Sequence, residues 1–297
     1  MRILVVGCNG QVGRELCRLG EENDFHIIPM DLPEFDITDK VAVDAAVKQW
    51  SNFLVVNAAA YTAVDMAESN PDTAFAVNKD GPAHLASSCA EAGIPLIHIS
   101  TDYVFDGKQK RPYIESDPIS PIGVYGRSKA KGDAEVRKKL DRHLIIRTSW
   151  LCSIHGKNFV KTILKLATEK ESIRVVSDQV GCPTFAQDLA EAILNIAGQY
   201  RQKKEIPWGT YHYCGRGETT WYDFAKQIVE FARNDQRIKT RLIKPIRTED
   251  YPTPARRPSY SVLDCSLIEG RFGIQQRPWK ESLGETVKNL LSGHFGD

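Results

Sequence analysis

The segment Gly7-Cys8-Asn9-Gly10-Gln11-Val12-Gly13 constrains this chain more than any other. It sits between a short apolar run, Ile3-Leu4-Val5-Val6, and the helical pattern Arg14-Glu15-Leu16-Cys17-Arg18-Leu19. An unbroken apolar run of that length suits a parallel strand buried on both faces. Glycines at this junction permit a tight turn, let the backbone approach a pyrophosphate, and let helix pack closely on strand. The G-x-x-G-x-x-G spacing departs from G-x-G-x-x-G, but the physical demand is similar. A glycine-rich structural turn is the alternative; the position between first strand and first helix favours dinucleotide binding. Gly7, Gly10, Gln11, Val12 and Gly13 are therefore predicted to meet a cofactor.

The following runs continue the alternation. His26-Ile27-Ile28-Pro29-Met30 ends in Asp31, where a carboxylate can accept hydrogen bonds from adenosine ribose hydroxyls. The same charge repels a 2′-phosphate and so favours NADH over NADPH, although Arg14 could approach; an ordinary loop carboxylate is the alternative. Asp36-Ile37 begin a loop suited to holding the adenine, and Asp39 through Trp50 read as the next helix. Phe53-Leu54-Val55-Val56 is another buried strand running into Asn57-Ala58-Ala59-Ala60, then Tyr61-Thr62. Small side chains at a strand's carboxyl end let a flat cofactor lie close. Two helical patterns cover about 66–92, with Asn78 between them. Ile94-Pro95-Leu96-Ile97-His98-Ile99 is a fourth core strand, in which His98 reads as a core histidine rather than a ligand.

Ser100-Thr101-Asp102 stand at the carboxyl end of that strand, where catalytic groups collect; a Ser/Thr/Asp turn is the alternative. A loop over 103–123 delivers Tyr125 and Lys129, which share one helix face at i and i+4. Free, these groups titrate near ~10 and ~10.4. A neighbouring ammonium favours phenolate, so Lys129 is expected to lower the Tyr125 pKa. Alone, Tyr-x-x-x-Lys also describes a solvated helix face, and the glycine loop and Thr101 favour the catalytic reading. The alternation of strands and helices as far as Ile145-Ile146-Arg147 predicts a doubly wound parallel sheet, an α/β fold of the Rossmann type.

Composition excludes several classes. A net charge of +1 gives no bulk attraction for nucleic acid or an anionic membrane. The seven cysteines form no CxxC pair and no Cys/His cluster at zinc spacing, so they read as reduced thiols and no metal site is assigned. No apolar run approaches the ~20 residues that span a bilayer. The N-terminus runs directly into a strand without a signal-peptide core, so a cytoplasmic protein is expected.

After Trp150 the pattern loosens. A helix is expected from Asn158 to about Thr168, a strand at 173–176, a turn over Asp178–Thr184, and a helix over about 186–197. A strand follows at 209–214, then a helix over about 222–233 capped by Thr219-Thr220-Trp221. Pro245 to Pro258 reads as loop, and a last helix occupies about 280–291. Residues 1–149 are predicted as the dinucleotide-binding domain. Residues 150–297 are predicted mainly as a smaller α/β substrate domain, with a segment near 178–200 returning to the first. Arg256 and Arg257 on a rigid loop could pair with a diphosphate, or form surface salt bridges. Trp150 could stack on a sugar or base, or be a core tryptophan.

The glycine loop, Asn57-Ala58-Ala59-Ala60, Ser100-Thr101-Asp102-Tyr103-Val104-Phe105 and Tyr125-x-x-x-Lys129 together resemble the extended short-chain dehydrogenase/reductase superfamily. Ala59 through Glu68, Arg147-Thr148-Ser149-Trp150, Asp178-Gln179-x-Gly181-x-Pro183-Thr184 and Ala255-Arg256-Arg257-Pro258 narrow the resemblance to the dTDP-4-dehydrorhamnose reductase family. The resemblance implies reduction of the C4 ketone of dTDP-4-dehydro-β-L-rhamnose by NADH, with NADPH the alternative. It implies Tyr125 as proton donor, Lys129 on the nicotinamide ribose, and Thr101 on the reacting oxygen. It places Asp102, Trp150 and Arg257 on the substrate, and Ala58, Ala60, Tyr61 and Thr62 with Asp31, Asp36 and Ile37 on the cofactor. Homodimers bridged by magnesium at acidic residues occur in the family, and Glu15 is a candidate without a complete ligand motif. Cys152 and Cys182 depart from the family's usual tyrosine and small residue. A 4,6-dehydratase commonly has Asp-Glu after the threonine, whereas Tyr103 follows Asp102 here. An epimerase uses the same Tyr/Lys pair, and the non-catalytic β subunit of methionine adenosyltransferase shares a similar Ser-Thr-Asp-Tyr-Val-Phe segment.

Overall fold

Successive residues of a strand point to opposite faces of its sheet, so an all-apolar strand needs cover on both sides. That requirement organises the first half of the chain in the computed structural model, which describes residues 1–49, 53–203 and 205–293. β1 (Arg2–Val6), β2 (His26–Met30), β3 (Phe53–Asn57), β4 (Leu96–Thr101) and β5 (His143–Thr148) alternate with helices. The helices are α1 (Gln11–Glu22), α2 (Lys40–Lys48), α3 (Val64–Ser69), α4 (Pro71–Phe75), α5 (Gly81–Ala92) and α6 (Val124–Lys139). A π-helical turn, Ala76–Asp80, joins α4 to α5 and carries Asn78.

The second half contains β6 (Leu151–Cys152), α7 (Phe159–Glu169), β7 (Ser172–Val176), β8 (Val180–Gly181), β9 (Thr184–Phe185) and α8 (Ala186–Lys203). It continues through β10 (Gly209–His212), β11 (Thr219–Thr220), α9 (Trp221–Phe231), β12 (Leu242–Ile246), α10 (Ser266–Phe272) and α11 (Trp279–Ser292). The main sheet has the order β10-β5-β4-β3-β1-β2, with every neighbouring pair parallel. The doubly wound α/β fold is therefore observed.

Alternation along the strands separates two cores. Ile3, Val5, Leu54, Val56, Ile97, Leu144 and Ile146 pack on one face with Leu16 of α1 and Leu189 and Ile193 of α8. Leu4, Val6, Val55, Leu96 and Ile145 pack on the other with Val43 of α2 and Leu85 of α5. A third cluster, built on Ile163, Leu164, Ile173, Phe224, Ile228, Leu283 and Val287, belongs to the second half. Thus α8 and β10 join the first sheet, while α7, α9 and α11 gather around a core of their own.

Several element boundaries differ from expectation. The helix expected over Asp39–Trp50 is α2, with Asp39 as its cap accepting from the Val41 N–H at 2.8 Å; Trp50 lies outside the described residues. The expected strand over 209–214 ends at His212, and the Tyr213 N–H makes the last bond of its ladder, to the Arg147 carbonyl at 2.9 Å. Pro245 belongs to a strand rather than a loop: β12 pairs in parallel with β7 in a separate two-stranded sheet. Edge strands tolerate the proline N–H that is missing from a ladder. Helix α10 was not anticipated, since its seven residues are too short to display a clear period.

The glycine loop shows why its sequence matters. A Cβ on Gly13 would stand 2.0 Å from the Gly7 carbonyl oxygen, so helix and loop backbones approach as no side chain allows. Gly13→Ala is expected to lower stability in urea titrations by roughly 1–3 kcal/mol through overpacking. Unchanged stability would show that the loop relaxes without cost.

Candidate active site

A cleft of about 830 Å³ opens at the carboxyl ends of β1, β3 and β4. Gly7, Gly10, Gln11 and Val12 line one side, with Asp31, Asp36 and Ile37 beyond them. Ala58, Ala60 and Thr62 follow from the end of β3. Thr101, Asp102, Tyr125, Lys129 and Trp150 line the same cleft. Gly13 lies behind the loop as the contact that allows its shape, and Tyr61 is tied into the wall through its backbone.

The helix carrying Tyr125 is held at its start from outside. Glu68 of α3 accepts from the Val124 N–H at 2.7 Å, satisfying one of the donors a helix N-terminus leaves open. Two residues on, a Cβ at Gly126 would stand 2.2 Å from the Tyr103 carbonyl oxygen. This close approach brings α6 against the turn that follows β4. The Tyr103 ring meets Tyr125 edge-on at 5.4 Å. Asn78 locks the arrangement from behind, accepting from Tyr61 N–H at 2.8 Å and donating to Ser128 Oγ at 3.0 Å.

Thr101 ends β4 with its hydroxyl donating to Asp102 Oδ1 at 3.0 Å and accepting from Tyr103 N–H at 3.2 Å. Burial pushes the Tyr125 phenol above its ordinary range, against a hydrogen bond with Thr101 that pulls it down. Here the expectation from the sequence is corrected. Lys129 does share the face of Tyr125, but its ammonium donates to the Ile99 carbonyl at 2.7 Å, and desolvation of the phenol dominates. Burial also lowers Lys129 to about 8, opposed by the nearby Asp133 carboxylate. Asp102 is pushed up to about 6 by burial, against hydrogen bonding from Ser261 and Thr101. His98 is fully buried, bonded to Asn57 through Nδ1 at 3.1 Å and held well below the usual imidazole range.

Trp150 takes a left-handed backbone, φ 46°, and stacks flat on Trp221 with ring centroids 3.4 Å apart. Both line the cleft, so Trp221 is a site residue the sequence reading missed; its position just after the Thr220 cap was the available signal. Asp133 and Glu68 were also missed. Asp133 continues the i, i+4 series of Tyr125 and Lys129, a period the sequence displays.

Of the two readings that the sequence allows for Arg257, the structure forms the salt bridge. Its guanidinium forks onto Asp65, with Nη2 to Oδ2 at 2.8 Å, and also donates to Thr253 Oγ1 at 2.5 Å. Both ends of the fork are thereby used in fastening its loop to the start of α3, and Arg257 does not line the cleft. Glu15 is likewise engaged, by Arg18 at 2.8 Å and by His155 at 3.4 Å.

The cleft fits a dinucleotide. Loop and helix approach so closely at Gly13 that backbone, not side chains, forms the floor, and Asp31 is held there by the N–H groups of Asn9 and Leu32, each at 2.8 Å. The raised Asp102 pKa has a consequence for stability. Folded, the group titrates at about 6, above the ~3.9 of an unfolded aspartate. Folding then resists ionisation, and the resulting penalty develops as pH rises from about 4 to 6 and stays in full above that. The stability of Asp102→Asn relative to wild type is expected to grow by about 1–3 kcal/mol between pH 4 and pH 8 in urea titrations. A difference that does not change with pH would contradict burial as the cause.

Comparison with known proteins agrees with this geometry. The family model described as the RmlD substrate binding domain matches residues 1–292. A dTDP-4-dehydrorhamnose reductase from Sinorhizobium fredii (strain NBRC 101917 / NGR234) is 43% identical over 294 residues, covering 98% of each chain. The crystal structure of a dTDP-4-dehydrorhamnose reductase from Clostridium acetobutylicum superposes with a TM-score of 0.90 at 38% identity, covering 98% of this chain and 99% of that one. The dTDP-4-dehydrorhamnose reductase of Bacillus anthracis, solved in complex with NADP, gives 0.89 at 35% identity, covering 97% and 99%. With the family model matched over nearly the whole chain and the glycine loop, Thr101, Tyr125 and Lys129 around one cleft, this chain belongs to the dTDP-4-dehydrorhamnose reductase family.

Proposed function

We propose that this protein reduces the C4 ketone of dTDP-4-dehydro-β-L-rhamnose to the hydroxyl of dTDP-L-rhamnose, using NADH or NADPH. The observation that carries the proposal is the convergence of Thr101, Tyr125 and Lys129 in the cleft behind the glycine loop, in a chain so similar to named reductases. Residues 1–149, with α8 and β10, would form the dinucleotide-binding part, and most of 150–297 the substrate part.

The nicotinamide, when bound, supplies the hydride. Gly7, Gly10, Gln11 and Val12 would receive the pyrophosphate, and Asp31 the adenosine ribose. Asp31 favours NADH, whereas the Bacillus anthracis relative was solved with NADP, so both forms remain in the proposal. As the ketone becomes an alkoxide, negative charge collects on one oxygen. Tyr125 gives that oxygen its proton, and Thr101, on turning its hydroxyl from Asp102, donates a hydrogen bond to it. A phenol raised by burial keeps its proton at neutral pH, which suits the reductive direction. Lys129 stays mostly charged below about 8, and would hold the nicotinamide ribose. The stacked Trp150 and Trp221 offer a flat apolar face for the sugar or the base.

Tyr103, where a dehydratase would carry its second carboxylate, favours reduction without loss of water. A homodimer and a cytoplasmic setting belong to the same proposal and rest on the resemblance. Among the described residues no helix is long and apolar enough to cross a membrane.

Stoichiometric oxidation of NADH or NADPH with the keto-sugar is expected for the wild type. Cofactor that survives desalting and is not consumed would instead favour an epimerase. No turnover together with capture of a synthetase would favour a regulatory subunit. Tyr125→Phe is expected to bind cofactor normally and to lose about 10²- to 10⁴-fold in kcat. A rate near wild type would remove Tyr125 as proton donor.

A further inference from the structure

Beneath the cleft floor lies a group of charges that the mechanism above does not use. Asp133 is fully buried on α6, one turn beyond Lys129, which is itself only 1% exposed. Arg147 of β5, 2% exposed, brings Nε to within 3.4 Å of Asp133 Oδ2. His98 of β4 brings Nε2 to 3.8 Å from Asp133 Oδ1, and neither atom has a hydrogen-bond partner among the described residues. Burial keeps His98 neutral, so it adds no charge. The buried group therefore holds two cations, Lys129 and Arg147, and one carboxylate.

We propose that Asp133 is a positioning residue, the shared buried counter-ion that keeps the Lys129 ammonium charged inside the protein. The relevance of this to turnover rests on the function proposed above. An unpaired buried charge is costly, and a group that can shed its charge does so. Guanidinium does not deprotonate in proteins, whereas a buried ammonium readily does. Any imbalance among the three groups therefore appears as loss of the Lys129 proton. Burial already lowers Lys129, and Asp133 is the charge that opposes that shift. Arg147 competes for the same carboxylate through its bond to Oδ2.

Few other charges reach this position. Asp102 follows β4, His143 lies on β5, and α6 itself carries Tyr125 and Arg137; the half-buried Glu115 acts on Arg147 from the loop before α6, and His212 of β10, beside Arg147, is held neutral by burial. The remaining packed elements direct their charges elsewhere. Lys79 and Asp80 of the π turn pair with each other at 3.0 Å, His84 of α5 faces the Ile37 carbonyl, and Asp72 of α4 is exposed. On α3, Glu68 holds the Val124 N–H and Asp65 holds Arg257.

Asp133 and its ion-pair partner Arg147 should act on Lys129 with opposite sign. In the full-length, cofactor-free protein carrying ¹³Cε-lysine, the Lys129 resonance is assigned by its loss in Lys129→Met and followed with pH. The wild-type midpoint is expected near 8. Asp133→Asn is expected to lower it by about 1 unit or more, and Arg147→Met to raise it, because Asp133 then serves Lys129 alone. Midpoints unchanged in both variants would overturn the proposal. Should Asp133→Asn fail to fold by circular dichroism, Arg147→Met decides alone: a raised midpoint supports the proposal and an unmoved one overturns it. This titration uses neither cofactor nor sugar, so its failure is separable from failure of the proposed reaction. In turnover, Asp133→Asn is expected to move the alkaline limb of kcat/KM toward acid. A lowered plateau with an unmoved limb would mean a merely structural role.

Discussion

The contact on which the site depends is the close seating of α6 against the turn after β4. Gly126 allows the Tyr103 carbonyl to come within a distance that any side chain would forbid, and Glu68 holds the first turn of the helix from α3. Both constraints act on the backbone of α6, one through the close approach at Gly126 and one through the Glu68 carboxylate. The sheet supplies the other half of the geometry. Thr101 pairs in register with Thr148 at the end of β4, so the ladder fixes its backbone, and the hydroxyl is held by Asp102 Oδ1 and the Tyr103 N–H. A helix and a strand end, each over-determined, thus meet at one point in the cleft.

Burial then decides the protonation of what meets there. It raises the Tyr125 phenol, raises Asp102 and lowers Lys129, and each shift favours the uncharged form. For the tyrosine this outweighs any help from the lysine in this structure, which reverses the simple argument from the Tyr-x-x-x-Lys pair. The reversal is chemically consistent with reduction, where the tyrosine is required as an acid. The lysine instead needs support to stay charged, and the buried carboxylate of Asp133 stands one helical turn away to provide it.

Much of this was legible in the sequence. Strands buried on both faces announce themselves as apolar runs, and β1, β3, β4 and β5 all lie where those runs fall. The glycine loop, Asp31, Thr101, Tyr125 and Lys129 were readable because each sits at a strand end or helix start, where spacing carries meaning. Less legible were features set by contacts distant in sequence. β10 joins the main sheet beside β5, and β12 pairs with β7 despite Pro245, and neither pairing leaves a local mark. For Arg257 the sequence allows both a diphosphate contact and a salt bridge, and cannot choose between them because the partner, Asp65, is far away along the chain. Trp221 reaches the cleft only by stacking on Trp150. The Tyr125 pKa was misjudged because burial is a tertiary property, invisible in a pair of residues.

The convergence of Thr101 and Tyr125 on one developing oxygen is open to direct measurement. Single-turnover rates of cofactor oxidation with the keto-sugar, for wild type, Thr101→Val, Tyr125→Phe and the double variant, form a thermodynamic cycle. If both hydroxyls address the same oxygen, the losses are expected to be non-additive, the double variant falling little below Tyr125→Phe alone. Strictly additive losses would mean that the two residues act at separate places, and would contradict the site as described.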